Sequence, residues 1–182
     1  VAIPFDAVKL RGELEKLKGK AGAVAIASSF AVRNNAHELA ARELVVDVLG
    51  LPVTLSSELS SALDAPRRAL TSVLNARLVG HIARLISAVK RAMAGLGIDC
   101  PLMIMKGDGA LASADSVVNR PIETILSGPA ASLVGAKWLS GLDDFIMSDM
   151  GGTTTDVGIL EKGRPLVAPQ GAEVGGWRTM VK

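Results

Sequence analysis

The chain has 182 residues, with 20 Lys and Arg against 18 Asp and Glu, so its net charge is only +2. Aromatic residues make up 3% and Tyr is absent, which excludes the basic, ring-bearing surface of a nucleic-acid binder. With 49% apolar and 21% charged residues, the composition excludes disorder and collagen and fits a globular core of Leu, Val, Ile and Ala, enough for one domain or one and part of a second.

Val1-Ala2-Ile3 reads as a strand with no basic or apolar leader before it, the pattern of a piece of a longer chain. Asp6 is a good N-cap, and Phe5 before it and Leu10 after it have the spacing of a hydrophobic staple for a helix carrying Leu10, Leu14 and Leu17. Gly19 and Gly22 close that helix. Ala23 to Ala27 follows as a strand apolar on both faces, which predicts a parallel or central place in a sheet. The surrounding apolar stretch from Ala21 to Val32 is broken by Ser28 and Ser29 and falls short of the ~20 residues of a spanning helix, so no membrane segment is expected.

Asn35 and Glu38 have the spacing of a capping box for a helix that ends at Gly50 and Pro52, and Val53-Thr54-Leu55 is a short strand. The longest predicted element is a helix from Ala65 to Gly95, with Asp64 as N-cap and Pro66 in its first turn. Leu70, Val73, Leu78, Ile82, Leu85, Val89, Met93 and Leu96 form its apolar stripe, and Arg77, Arg84 and Arg91 a second stripe that reads as a solvated face rather than an anion- or partner-binding one. Cys100 reads as a buried small apolar residue rather than a nucleophile, since no activating partner adjoins it. As the only cysteine it can form neither an intramolecular disulfide nor a Cys-based zinc site, which fits a reducing cytoplasm. Pro101 to Met105 is a further strand, ending in Lys106-Gly107-Asp108-Gly109. The succession of strands, loops and helices predicts an α/β fold.

Ser127-Gly128-Pro129 opens a helix on which Gly128, Ala131, Ser132, Gly135 and Ala136 line one side. That side suits either close approach of another backbone or plain packing on a sheet. Phe145 to Leu160 then reads as strand, Gly/Thr turn and returning strand, with Lys162-Gly163 as a second turn. Successive N–H groups of such a turn form a concavity for anions, since glycine leaves no Cβ in the way. Gly151, Gly152, Thr153, Thr154 and Thr155 would cradle phosphate, and Asp149 and Asp156 bracket them as carboxylates able to orient water or hold Mg²⁺ through water. The turn lacks the Gly-Lys-Ser/Thr ending of a Walker loop and opens no helix, so it is neither that loop nor a dinucleotide fingerprint. Two further residues stay open at this level. His37 can be structural or a site residue. Asp108, after an apolar strand, can contact a ligand or simply form a turn.

The run Asp149-Met150-Gly151-Gly152-Thr153-Thr154-Thr155-Asp156-Val157-Gly158 resembles the second phosphate hairpin of the actin-like ATPases. Other segments are similar to blocks of the hydantoinase A and 5-oxoprolinase family within that superfamily. These are Ser29-Phe30 with Asn34-Asn35-Ala36-His37-Glu38, Ser56-Ser57-Glu58, Lys106 to Gly109, Arg120 to Ala130 and Val174 to Met180. Asn35 stands where the family commonly has Pro, and Gly107 and Ala110 where it commonly has Ser and Gly. The resemblance implies an actin-like, ribonuclease H-like α/β fold: residues 1–126 the later part of lobe one, 127–141 a connecting helix that acts as hinge, and 142–182 the start of lobe two.

The resemblance further implies ATP with Mg²⁺ as cofactors, a cyclic amide of the hydantoin or 5-oxoproline type as substrate, and phosphorylation of the amide oxygen. Asp149 is then the catalytic carboxylate, with Asp108 and His37 as substrate-side candidates and a second, B-type subunit or another copy as partner. An ATP-dependent ketone carboxylase and a nucleotide-responsive switch are the alternative activities. With one of the two phosphate hairpins of such an ATPase, the segment is expected to be inactive alone.

Overall fold

The structure is a computed structural model that describes residues 4–181; the expected strand Val1-Ala2-Ile3 lies outside them. The chain forms two compact units, one of residues up to Ser87 together with 173–180, the other of residues 88–172 with Val181. The second unit takes in residues on both sides of position 127.

The first unit begins with α1 (Ala7–Glu15), where the Asp6 carboxylate accepts the Lys9 N–H at 2.9 Å. Strands β1 (Val24–Ile26) and β2 (Val53–Leu55) pair in parallel, Val24 opposite Val53 and Ile26 opposite Leu55, as the two-sided apolar run predicts. Between them runs α2 (Ala36–Leu49), closed by Gly50 in the left-handed region at φ 63°, with its N–H on the Val46 carbonyl. Leu14, Val45 and Val48 are the buried centre of this layer, with Leu10, Val24, Ile26, Leu44 and Val53 packed around them. The short helix α3 (Ser56–Leu59) follows β2 directly.

Two expectations fail here for the same reason. No capping box forms, because Asn35 makes no side-chain cap bond and Glu38 turns inward; the Ala36 N–H goes to the Asn34 side chain at 3.0 Å instead. Helix α4 (Ala65–Gly95) has the predicted bounds but buries a different face. Arg68, Thr71, Ser72 and Asn75 are buried, whereas Val73 and Leu85 of the expected stripe are exposed. Polar groups can occupy the interior because each is bonded. Ser72 donates to the Arg68 carbonyl, Thr71 to the Arg67 carbonyl (both 2.8 Å), and the Asn75 amide to the Thr54 hydroxyl at 3.0 Å. Strands β8 (Glu173–Val174) and β9 (Trp177–Arg178) add a hairpin whose two-residue loop, Gly175-Gly176, has φ of 59° and 81°, the signs of a type I′ turn. Just after it, the Met180 N–H donates to the Thr71 hydroxyl at 3.0 Å.

The second unit contains the antiparallel pair β3 (Met103–Met105) and β4 (Leu111–Ser113), followed by α5 (Ala114–Val117) and a 3-10 turn at Pro121–Thr124. Lys106 to Gly109 is the hairpin turn of this pair. Gly107 donates its N–H to the Glu123 carbonyl at 2.8 Å, and a Cβ on it would collide with the Ile125 carbonyl oxygen. Gly107→Ala is therefore expected to destabilise the protein by about 1–3 kcal/mol, the cost of forcing an extra carbon into a packed contact. Denaturant midpoints at unchanged m-value would show it; an unshifted midpoint would mean that the two segments separate freely.

Helix α6 (Ser127–Ser140) starts after Leu126, which is left-handed at φ 63°. Nothing lies within 4 Å of a Cβ built at Gly128 or Gly135, so among the described residues no neighbour closes on the helix at these two glycines. The sheet β5 (Phe145–Met150), β6 (Thr155–Glu161) and β7 (Arg164–Pro165) is antiparallel throughout. Its second turn, Lys162-Gly163, is held by Asp144 on the Lys162 N–H and by Lys137, whose ammonium reaches the Gly163 carbonyl and Asp143.

Candidate functional site

Strands β5 and β6 pair from Phe145 opposite Leu160 to Met150 opposite Thr155, which places Asp149 directly opposite Asp156. Residues opposite each other in an antiparallel pair share a face. On that face Phe145, Met147 and Leu160 pack inward, and the two aspartates occupy its open end next to the turn. The turn is closed by the Gly151 N–H on the Thr154 carbonyl at 2.9 Å, and Gly151 to Thr155 are all exposed. A Cβ at Gly152 would meet nothing within 4 Å, so its backbone is open to approach.

Helix α6 covers this face and fixes its geometry. Leu133, 4% exposed, lies over Gly158 of β6, where an added Cβ would sit 3.2 Å from a Leu133 methyl. The adjacent Ser132 donates its hydroxyl to Asp149 Oδ2 at 2.8 Å. The hairpin thus brings together Asp149, Gly151, Gly152, Thr153, Thr154, Thr155 and Asp156. Two like charges directly opposite each other are unfavourable unless a cation or donors offset them. Among the described residues no group of three or more His, Cys, Asp or Glu side chains is arranged to hold a metal; the hairpin itself offers two carboxylates.

Asp108 and His37 each make local contacts of their own. Asp108 Oδ1 accepts the Ala110 N–H at 3.0 Å, an Asx turn, while Oδ2 pairs with Lys106 at 3.1 Å. Partial burial raises its carboxyl pKa, but the Ala110 N–H and Lys106 outweigh this and hold it below the usual aspartate value. Lys106 is correspondingly raised, chiefly by its hydrogen bond to Asp108 and the nearby Glu123. His37 packs its ring against Phe5, centroids 5.8 Å apart, so Phe5 serves this contact. Arg77, Arg84 and Arg91 are exposed, which suits a solvated face and an anion- or partner-binding stripe alike.

A polar centre in the first unit is not evident from the motifs taken singly. Glu38, 1% exposed, accepts the Ser28 N–H at 2.8 Å, the Ser56 hydroxyl at 2.6 Å, and both the N–H and the hydroxyl of Ser57 at 3.0 and 2.8 Å. Burial pushes its pKa up, and these four donors more than reverse the effect, leaving it below the ordinary glutamate value. Arg68, 0% exposed, donates to the carbonyls of Ala62, Ser28 and Ser29 and approaches the Ser56 hydroxyl at 3.4 Å. The centre lies just beyond the C-terminal ends of parallel β1 and β2, where α/β sheets commonly place their binding loops. Its signal in the sequence is the pair of blocks ending in Glu38 and Glu58, separate in sequence and joined here.

Comparison with known proteins accords with these motifs. The family model described as Hydantoinase/oxoprolinase matches residues 68–182, and the chain belongs to the hydantoinase/oxoprolinase family. It is 28% identical over 166 residues to caprolactamase subunit alpha of Pseudomonas jessenii, covering 88% of this chain and 24% of that protein. It is 31% identical over 163 residues to 5-oxoprolinase 1 of Arabidopsis thaliana, covering 86% of this chain and 13% of that one. The crystal structure of the ATP-dependent caprolactamase from Pseudomonas jessenii matches with a TM-score of 0.77 at 27% identity, over 86% of this chain and 23% of that one. The nucleotide-free acetone carboxylase matches with a TM-score of 0.67 at 23% identity, over 85% of this chain and 23% of that one, a likeness of fold. The chain thus spans about a quarter or less of these relatives.

Proposed function

We propose that the parent protein is an ATP-dependent hydrolase that opens a cyclic amide of the hydantoin or 5-oxoproline type, and that this chain carries one of its phosphate sites. The observation that supports this reading most is the Asp149 and Asp156 pair flanking an exposed Gly-Gly-Thr-Thr-Thr turn in a chain of this family. ATP would supply a phosphoryl group for the amide oxygen, turning a poor electrophile into one that water opens. The chain's own part is positioning. The N–H groups and hydroxyls of Gly151 to Thr155 bind phosphate oxygens, Asp149 orients water or hydrated Mg²⁺, and Asp156 adds a second oxygen ligand.

In this reading the fold is that of the actin-like ATPases, with residues 1–126 in the later part of one lobe, 127–141 as connecting helix and 142–182 opening the next lobe. The name of the caprolactamase subunit supports a second subunit as partner. No helix among the described residues is long and apolar enough to cross a membrane. Cys100, expected to be buried, is exposed, and the lone cysteine of the sequence supports the reading of a cytoplasmic protein.

The test is an assay of the complete protein, with its partner subunit, for phosphate release with hydantoin, 5-oxoproline or caprolactam. Ketone plus bicarbonate serves as the rival substrate pair. Release of phosphate coupled to ring opening is expected, and dependence on ketone and bicarbonate alone would identify a carboxylase instead.

A further inference from the structure

We infer that Ser132 is the positioning residue for Asp149, setting the direction of its free carboxylate oxygen; this rests on the assignment of Asp149 to the phosphate site. Neighbouring strands of a sheet lie about 4.8 Å apart. Two consecutive residues of α6 bridge that gap: Ser132 bonds to Asp149 on β5, and Leu133 seats over Gly158 on β6. The rotation of the helix about its axis is thereby fixed by one polar and one apolar contact on adjacent strands. The apolar contact depends on Gly158, because a side chain there would lift Leu133 and draw Ser132 away from Asp149.

The polar contact selects one rotamer of Asp149. Its Oδ2 is held toward α6 by the hydroxyl at 2.8 Å, and Oδ1 has no partner among the described residues. Without the hydroxyl, repulsion from Asp156 directly across the ladder would turn the carboxylate toward solvent and away from the turn. Residues that orient a ligating carboxylate typically change activity or metal affinity 10- to 100-fold when removed, although they touch neither substrate nor metal. The bond is solvent-exposed, so it contributes little to folding, and a loss of activity on its removal cannot be explained by a loss of structure.

The experiment compares Ser132→Ala, Ser132→Thr and Asp149→Asn in the complete protein, with steady-state kinetics at varied ATP and varied Mg²⁺ and circular dichroism as a control on folding. Ser132→Ala is expected to lower kcat about 10- to 100-fold. Its KM for ATP should stay within about twofold, and the Mg²⁺ concentration for half-maximal activity should rise. Ser132→Thr restores the hydroxyl and is expected to return kcat to within about threefold of wild type. Wild-type kcat in Ser132→Ala alongside an inactive Asp149→Asn would overturn the role of Ser132 and leave the phosphate site standing. Equal losses in the Ala and Thr variants would also overturn it, since packing rather than the hydroxyl would then matter. An active Asp149→Asn would remove the underlying site assignment, and Ser132 with it.

Discussion

Under the proposed function, replacing Asp149 by Asn in the complete protein is expected to lower ATP-dependent turnover by roughly 10²- to 10³-fold, the loss that follows removal of one preorganised charge-stabilising group. Asn keeps the size of the side chain and an oxygen that can accept from Ser132, so the contact between α6 and β5 survives. What disappears is the negative charge opposite Asp156 at the mouth of the Gly/Thr turn. Relief of the repulsion between those two carboxylates should leave the folded state as stable as wild type or slightly more so. The combination of lost turnover and retained stability is the signature of a functional charge. Unchanged phosphate release in the Asn variant, measured at saturating ATP and Mg²⁺, would refute the assignment.

The second large effect concerns stability. Glu38→Ala removes the acceptor for four donors that are themselves half-buried or buried, and it leaves the Arg68 guanidinium with fewer compensating groups nearby. Arg68→Ala removes the donor for the carbonyls of Ser28, Ser29 and Ala62. Breaking a buried charged network by deleting one member typically costs about 3–5 kcal/mol, and that is the loss expected for each variant in denaturant unfolding. Glu38→Gln should be intermediate, because one oxygen can still serve Ser28 and Ser56 while its amide presents a donor to the Ser57 N–H.

The same carboxylate makes a pH prediction. Its folded pKa lies below the ordinary value of 4.5, so its contribution is present above that value and is lost as pH falls through the folded pKa. Unfolding free energy measured from pH 6 downward should decline less steeply in Glu38→Gln than in wild type through the region below about pH 4.5. Identical slopes would mean that Glu38 has no favoured ionised state in the fold.

How far such features can be read beforehand differs from element to element. The bounds of α4 follow from Asp64, Pro66 and the periodicity, and the β5–β6 hairpin from its run of Gly and Thr between apolar strands. Strand β4, Leu-Ala-Ser, is too short to show alternation; it exists because the turn at Lys106 to Gly109 folds it back on β3. The inward face of α4 could not be read from hydrophobicity because Thr71, Ser72 and Asn75 have buried partners supplied by residues distant in sequence or by the preceding turn of the helix. Glu38 illustrates the same limit: its spacing from Asn35 fits a capping box, and the stronger donors are brought to it by β2 and α3. Ser132 and Gly158 become meaningful only once α6 lies across the sheet.

The polar inner face of α4 also limits motion. A helix resting on an aliphatic sheet can slip along it, trading one set of methyl contacts for another at small cost. The first half of α4 has no such freedom. Its Arg68, Thr71 and Asn75 are matched to particular partners on the chain after β1, on β2 and at Met180. A slide of one helical turn, about 5.4 Å, would strand all three at once. At about 1–3 kcal/mol for each buried polar group left unmatched, the displaced register would be populated below about a part in a hundred. The first half of α4 is thus locked in register on its own unit, with its alignment set by directional bonds.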